Sequence, residues 1–285
     1  MDIEGKFVHP EFIREELVYS EVYYYLDRYM DQEIFTVSDL KGNPAVKQNH
    51  VIWVLWLLGM ENAPKLVQKC YESVCRNKPE DFEVVLLSKK NLDQYIHLPD
   101  YVLKKHEEGS LSYTHLSDII RLELLCTYGG CWIDATVYCS GAIPRYMVSR
   151  DAFMFKASRM DDPVLKMSSW WLASDKNNRL MHATRKVWYR FWEQENSVRN
   201  YYLIHIIMSK IIDEDTACNI IFRNIPSFNN ENPHVLFGKL GMEFDEEEWE
   251  IIKDISTVHK LSYKRRYLQG DIYNYYMALM DGKLV

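Results

Sequence analysis

The chain has 285 residues, 47% hydrophobic and 26% charged, enough to bury a full core as one large domain or as a domain with an appendage. A net charge of −7 argues against general nucleic-acid binding but not against one local basic pocket. No run reaches the roughly 20 apolar residues of a membrane-spanning helix, the opening MDIEGKFVHPEF shows no signal-peptide pattern, and six cysteines without a CxxC pair fit reduced thiols in a cytoplasm.

Residues 1–45 differ in character from the rest of the chain. The tyrosine-rich stretch 12–32 (FIREELVYSEVYYYLDRYMDQ) predicts one or two helices with mixed faces, a helical appendage on a main domain spanning 46–285. VIWVLWLL (51–58) is an unbroken apolar run of strand length, suited to a strand covered on both faces. Gly59 ends it, Pro64 fits the first turn of a helix, and Leu66, Val67, Cys70, Tyr71 and Val74 come next at helical spacing. A second strand is expected at Glu83–Leu87, a helical linker near 92–105, a buried helix at His115–Tyr128 and a third strand at Cys131–Tyr138. This β-α-β-α-β order predicts a parallel α/β sheet, with ligands beyond the carboxyl ends of its strands.

Past Ala142 the pattern becomes irregular, with a strand expected at 152–157 and helices at 180–196 and 201–212. An acidic run (243–250) then precedes a basic, aromatic segment, HKLSYKRRY (259–267).

Three ionisable residues stand out in apolar surroundings. Asp118 and Arg121 lie three apart on one helix face, either as a pair that neutralises itself or as part of a working site. On the predicted strand, alternation places Trp132, Asp134, Thr136 and Tyr138 on one face, a polar row able to hold a hydrated metal, a ribose or a sugar hydroxyl. Asp134 either ends a strand and caps a turn or sits inside the apparent strand as a working carboxylate, where burial without a partner is costly. Gly129-Gly130 reads first as a helix stop and lacks the spacing of a phosphate-binding loop. His259, Lys260, Lys264, Arg265 and Arg266 form either a solvated basic turn or the positive charge a diphosphate needs.

The segments 52–70, 98–102 (LPDYV), 116–137 (LSDIIRLELLCTYGGCWIDATV), 168–171 (SSWW), 201–205 (YYLIH) and 259–264 (HKLSYK) together resemble the capsular polysaccharide synthesis glycosyltransferase family. More distantly they resemble glycosyltransferases with a DxD-type sugar-binding region, including the bacterial glucosylating toxins. The resemblance implies a GT-A type α/β fold, a Rossmann-like sheet with helical N-terminal and C-terminal additions. It implies hexose transfer from a UDP-sugar to a carbohydrate or lipid-linked saccharide acceptor in capsule or surface-glycan synthesis, with retention of configuration. Trp56–Gly59 would flank the nucleobase. Asp118 and Arg121 would contact the donor sugar, and Gly130 and Thr136 would complete the donor site with Asp134, the first acid of the DxD motif. His259 and Lys260 would lie near the diphosphate, with Lys264 as a further phosphate contact.

Asp118, Arg121 and Asp134 are thus the expected catalytic residues. A divalent cation, Mn²⁺ or Mg²⁺, would be held by Asp134 and His259. Thr136, however, stands where relatives carry the second acid, and a hydroxyl is a poor ligand for such ions. The other reading is metal-free neutralisation by the basic tail. That tail would also suit peripheral contact with the inner face of the plasma membrane. A non-catalytic nucleotide-sugar or glycan-binding subunit is the competing class.

Overall fold

In the computed structural model, the described residues are 10–157, 164–265, 267 and 272–285. They open with helix α1 (Pro10–Tyr25) and two 3-10 turns, Leu26–Tyr29 and Gln32–Phe35. Leu26, Tyr29, Ile34 and Phe35 are buried in the same hydrophobic core as the sheet. Arg190 ties the second turn down through Asp31, at 2.7 Å.

Strand β1 (Val51–Leu55) is buried along its whole length, as its unbroken aliphatic and aromatic run requires. It is shorter than the predicted 51–58. From Trp56 the chain turns, the Gly59 N–H donating to the Trp56 carbonyl at 2.9 Å with Gly59 at φ +84°. Helix α2 (Lys65–Asn77), β2 (Glu83–Leu87), α3 (Asp100–Glu107), α4 (Tyr113–Tyr128) and β3 (Gly130–Ile133) come next. β1 runs parallel to both β2 and β3, so the first half of the molecule is the expected β-α-β-α-β unit.

The join between α4 and β3 is tight. Ser112 caps the helix by accepting from the His115 N–H, and Gly129 and Gly130 end it at φ +69° and +91°. The buried indole of Trp53 on β1 donates to the Gly129 carbonyl at 3.0 Å. This locks the helix end to the sheet.

Beyond this unit come β4 (Val137–Cys139), β5 (Ala152–Lys156) and β6 (Met167–Ser174). The main sheet has the order β2-β1-β3-β6-β5, with β6 antiparallel to both β3 and β5. The all-parallel expectation is therefore corrected to a mixed sheet. β6 has no counterpart among the predicted strands: MSSWWLAS has neither a period of two nor an aliphatic run, yet all eight residues are buried.

Helices α5 (Arg179–Gln194), α6 (Leu203–Glu214), α7 (Thr216–Asn224), α8 (Val235–Lys239) and α9 (Glu246–Ile255) lead to β7 (Val258–Lys260) and α10 (Tyr275–Met280). Leu236, Leu240, Trp249, Ile252, Tyr275 and Leu279 form a second buried cluster against Leu66 and Cys70 of α2. That cluster carries β7 into antiparallel pairing with β4, setting Lys260 opposite Val137. Among the described residues no helix is long and apolar enough to cross a membrane.

Candidate functional site

The predicted strand Cys131–Tyr138 is two strands, β3 and β4, in different sheets, with Asp134–Thr136 as the turn between them. The Val137 N–H closes the turn onto the Asp134 carbonyl at 3.0 Å, and the Asp134 N–H donates to the Trp170 carbonyl of β6 at 2.9 Å. Asp134 thus comes just after the carboxyl end of β3 instead of sitting inside a strand, which is where ligands collect in open α/β sheets. The expected row of four side chains is broken after Asp134. Tyr138 belongs to the second cluster, its hydroxyl donating to the Leu284 carbonyl.

Asp134 gathers three donors, from α4, β3 and β7. Its Oδ1 accepts from Arg121 Nη2 at 3.1 Å and from Trp132 Nε1 at 2.9 Å. Its Oδ2 accepts from Lys260 Nζ at 2.7 Å, and the same ammonium donates to Thr136 Oγ1 at 2.7 Å. Burial alone would raise the Asp134 carboxyl, but Lys260 and Arg121 outweigh it and hold the carboxyl below its ordinary range.

Arg121, 4% exposed, also lies over the Trp132 ring at 4.9 Å and faces Asp118 Oδ1 at 3.3 Å. One guanidinium therefore serves two carboxylates. Its Nη1 is taken up by that contact with Asp118, while the buried Nε makes no hydrogen bond. Burial pushes the Asp118 carboxyl up to about 7, with Arg121 opposing and Asp134 adding to the rise.

Arg121, Trp132, Asp134, Thr136 and Lys260 floor a cavity of about 600 Å³, lined also by Trp56, Thr114, Ser117, Tyr201, Tyr202, His234, Tyr263 and Lys264. Among the described residues its charged lining is Arg121, Lys260 and Lys264 against Asp134 alone. A chain of net charge −7 thus presents a locally cationic cleft. Trp56 meets Tyr263 edge to face, ring centroids 5.4 Å apart, at one wall.

The structure brings Asp134, Arg121, Thr136, Lys260, Trp56 and Lys264 together at this cavity and leaves the other expected residues outside it. Asp118 stands behind Arg121 and does not line the cleft, so it positions the guanidinium instead of touching a ligand. Gly59 shapes the turn after β1 without lining it. Gly130 begins β3, about 13 Å from Asp134 at strand spacing. There a Cβ would meet the Val51 carbonyl oxygen at 2.3 Å, so this glycine serves close strand packing and not a donor. His259 alternates with Lys260 and points to the opposite face of β7, where its Nε2 meets Ser140 Oγ at 3.0 Å beside Trp249. Burial brings its imidazole down to about 3. Arg266 lies outside the described residues.

Sequence reasoning missed Tyr201 and Tyr202, which precede α6 in a turn instead of riding on the predicted helix. The signal was two adjacent tyrosines after an Asn, within the segment 201–205 that carries part of the resemblance. Both also line a second cavity of about 540 Å³, with Trp170, His205, Asn230 and Glu231. The two cavities share Asp134, Lys260, His234, Tyr201 and Tyr202. Burial, with Arg121 nearby, lowers His205 to about 4, leaving a neutral ring there.

The donor set does not fit a divalent cation. Such ions need several free oxygen ligands, but both Asp134 oxygens and Thr136 Oγ1 already accept from cationic or indole donors. Among the described residues no group of three or more His, Cys, Asp or Glu converges as a ligand cluster.

The family model described as "Capsular polysaccharide synthesis protein" matches residues 7–279. The chain is 32% identical over 118 residues to an O-glycosyltransferase, braB, of Annulohypoxylon truncatum, covering 39% of this chain and 28% of that protein. It is 22% identical over 189 residues to the O-glycosyltransferase PaGT of Phomopsis amygdali, covering 60% of this chain and 46% of that protein. The chain thus spans less than half the length of these relatives. Among solved structures, the PaToxG glycosyltransferase superposes with a TM-score of 0.39 at 14% identity, over 74% of this chain and 84% of that one. With its family model matched from residue 7 to residue 279, the chain belongs to the capsular polysaccharide synthesis protein family.

Proposed function

We propose that this chain is a glycosyltransferase that moves a hexose from a UDP-sugar to a hydroxyl of a carbohydrate acceptor. The observation that carries this reading is the cationic floor at the carboxyl end of β3, where Arg121 and Lys260 converge on Asp134 inside a cleft large enough for a nucleotide sugar. A departing diphosphate concentrates negative charge, and preorganised cations lower the barrier where that charge develops. Lys260 and Lys264 supply them. Arg121 lines the same cleft, and its guanidinium suits the sugar hydroxyls. Trp56 and Tyr263 offer aromatic faces for the base.

In the proposed step the bond between the anomeric carbon and the β-phosphate oxygen breaks, and its electron pair leaves with the diphosphate. The acceptor oxygen forms the new bond to that carbon, and its proton is released. The second cavity, meeting the first at Asp134, is the proposed place of the acceptor, and retention is the outcome that the family resemblance implies. Its Trp170, Tyr201 and Tyr202 are suited to stack on sugar rings.

Asp134→Asn tests the reading. It removes the charge that holds Arg121 and Lys260 in register, and turnover of a UDP-sugar panel, measured as released UDP, is expected to fall by about 100-fold or more with an unchanged circular dichroism spectrum. Unaltered turnover would remove Asp134 from the site. UDP-sugar binding by the wild type without any UDP release, across donors and acceptors, would favour the non-catalytic binding subunit.

A further inference from the structure

The position where a DxD protein would grip its metal is filled from within. Lys260 Nζ lies 2.7 Å from Asp134 Oδ2 and 2.7 Å from Thr136 Oγ1, bridging the two side chains that the resemblance sets at the first and second acids. Replacing the second acid by a hydroxyl removes one negative charge, and the remaining one is matched by a resident monocation. The placement is built, not incidental. β7 pairs with β4 so that Lys260 opposes Val137, the Leu261 N–H donates to the Thr136 carbonyl at 2.9 Å, and Val258 and Leu261 on either side are buried. The lysine side chain is 19% exposed, so it has one open side, toward the cleft.

We propose that the Lys260 ammonium takes the place of the divalent cation, so that the nucleotide diphosphate is bound and its departure neutralised without any metal ion. This rests on the donor reading above. An ammonium has three N–H donors; two are directed at Asp134 and Thr136, and the third is available to a phosphate oxygen. Arg121 holds the other Asp134 oxygen, and Lys264 at the rim adds a further positive charge. Two positive charges in excess of Asp134 then face the diphosphate from protein groups alone.

Calorimetric titration of UDP into the wild type, in EDTA and in Mn²⁺, tests this, with Mn²⁺ electron paramagnetic resonance as a second readout. Expected are dissociation constants within about twofold in the two media and no stoichiometric Mn²⁺ uptake, with or without UDP. Lys260→Ala should weaken UDP about tenfold or more, equally in both media. The double variant Thr136→Asp, Lys260→Ala should recover affinity only when Mn²⁺ is added. UDP binding by the wild type that needs Mn²⁺, or stoichiometric Mn²⁺ uptake with UDP, would overturn the proposal while leaving the donor reading intact. Silence in both media with every nucleoside diphosphate would overturn both. The wild-type titrations decide even if a variant fails to fold.

Discussion

Arg121 is the residue on which the site turns. Buried and shared between Asp118 and Asp134, it is a planar fork that fixes two carboxylates at the floor of the cleft. Arg121→Lys keeps the charge and loses the fork, and UDP-sugar turnover is expected to fall by about 100-fold or more; unchanged turnover and donor affinity would reduce Arg121 to a plain core ion pair. Asp118 has a different signature. Its carboxyl ionises near 3.8 unfolded and near 7 folded, so in that window the native state holds a proton the unfolded state has lost. Stability therefore falls as pH rises from about 4 to about 7. Asp118→Asn should remove that decline, seen as a flatter Tm-versus-pH curve than the wild type; parallel curves would contradict the assignment. Both residues were legible in the sequence because charge in an apolar helix demands a partner. The division of labour between them was not, since it depends on Asp134 reaching Arg121 across the turn.

At the scale of elements, the α4–β3 join and the β4–β7 ribbon place the chemistry. Gly130 has φ +91°, and a side chain there would press on the Val51 backbone. Gly130→Ala should cost about 1–3 kcal/mol, read as a lower denaturation midpoint, while UDP affinity of the folded protein stays unchanged; lost affinity at full stability would restore Gly130 to the donor site. The parallel strands were readable because aliphatic runs alternating with amphipathic helices leave few other arrangements. β6 was not, because Ser-Ser-Trp-Trp has no strand period and its burial comes from neighbours on both faces. The break after Ile133 is hidden for a related reason: Asp-Ala-Thr continues an alternating pattern, and the turn forms only because Trp170 receives the Asp134 amide and β7 receives β4. The same alternation, applied to β7, separates His259 from Lys260.

Across the whole molecule, the site joins the middle of the chain to its C-terminal part. Lys260 and Asp134 are 126 positions apart, brought together by the second hydrophobic cluster that seats α9 and α10 against α2. No local pattern announces such a contact, whereas the basic segment itself was visible as charge. One claim stands above the others: an activated sugar binds over the carboxyl end of β3, its diphosphate on Lys260 and its sugar against Arg121 and Asp134. A crystal structure of the protein at saturating UDP-hexose tests it directly. The diphosphate is expected within hydrogen-bonding distance of Lys260 Nζ, and the hexose against the Arg121 guanidinium. A nucleotide seated elsewhere, with Arg121 and Lys260 still closed on Asp134, would contradict it.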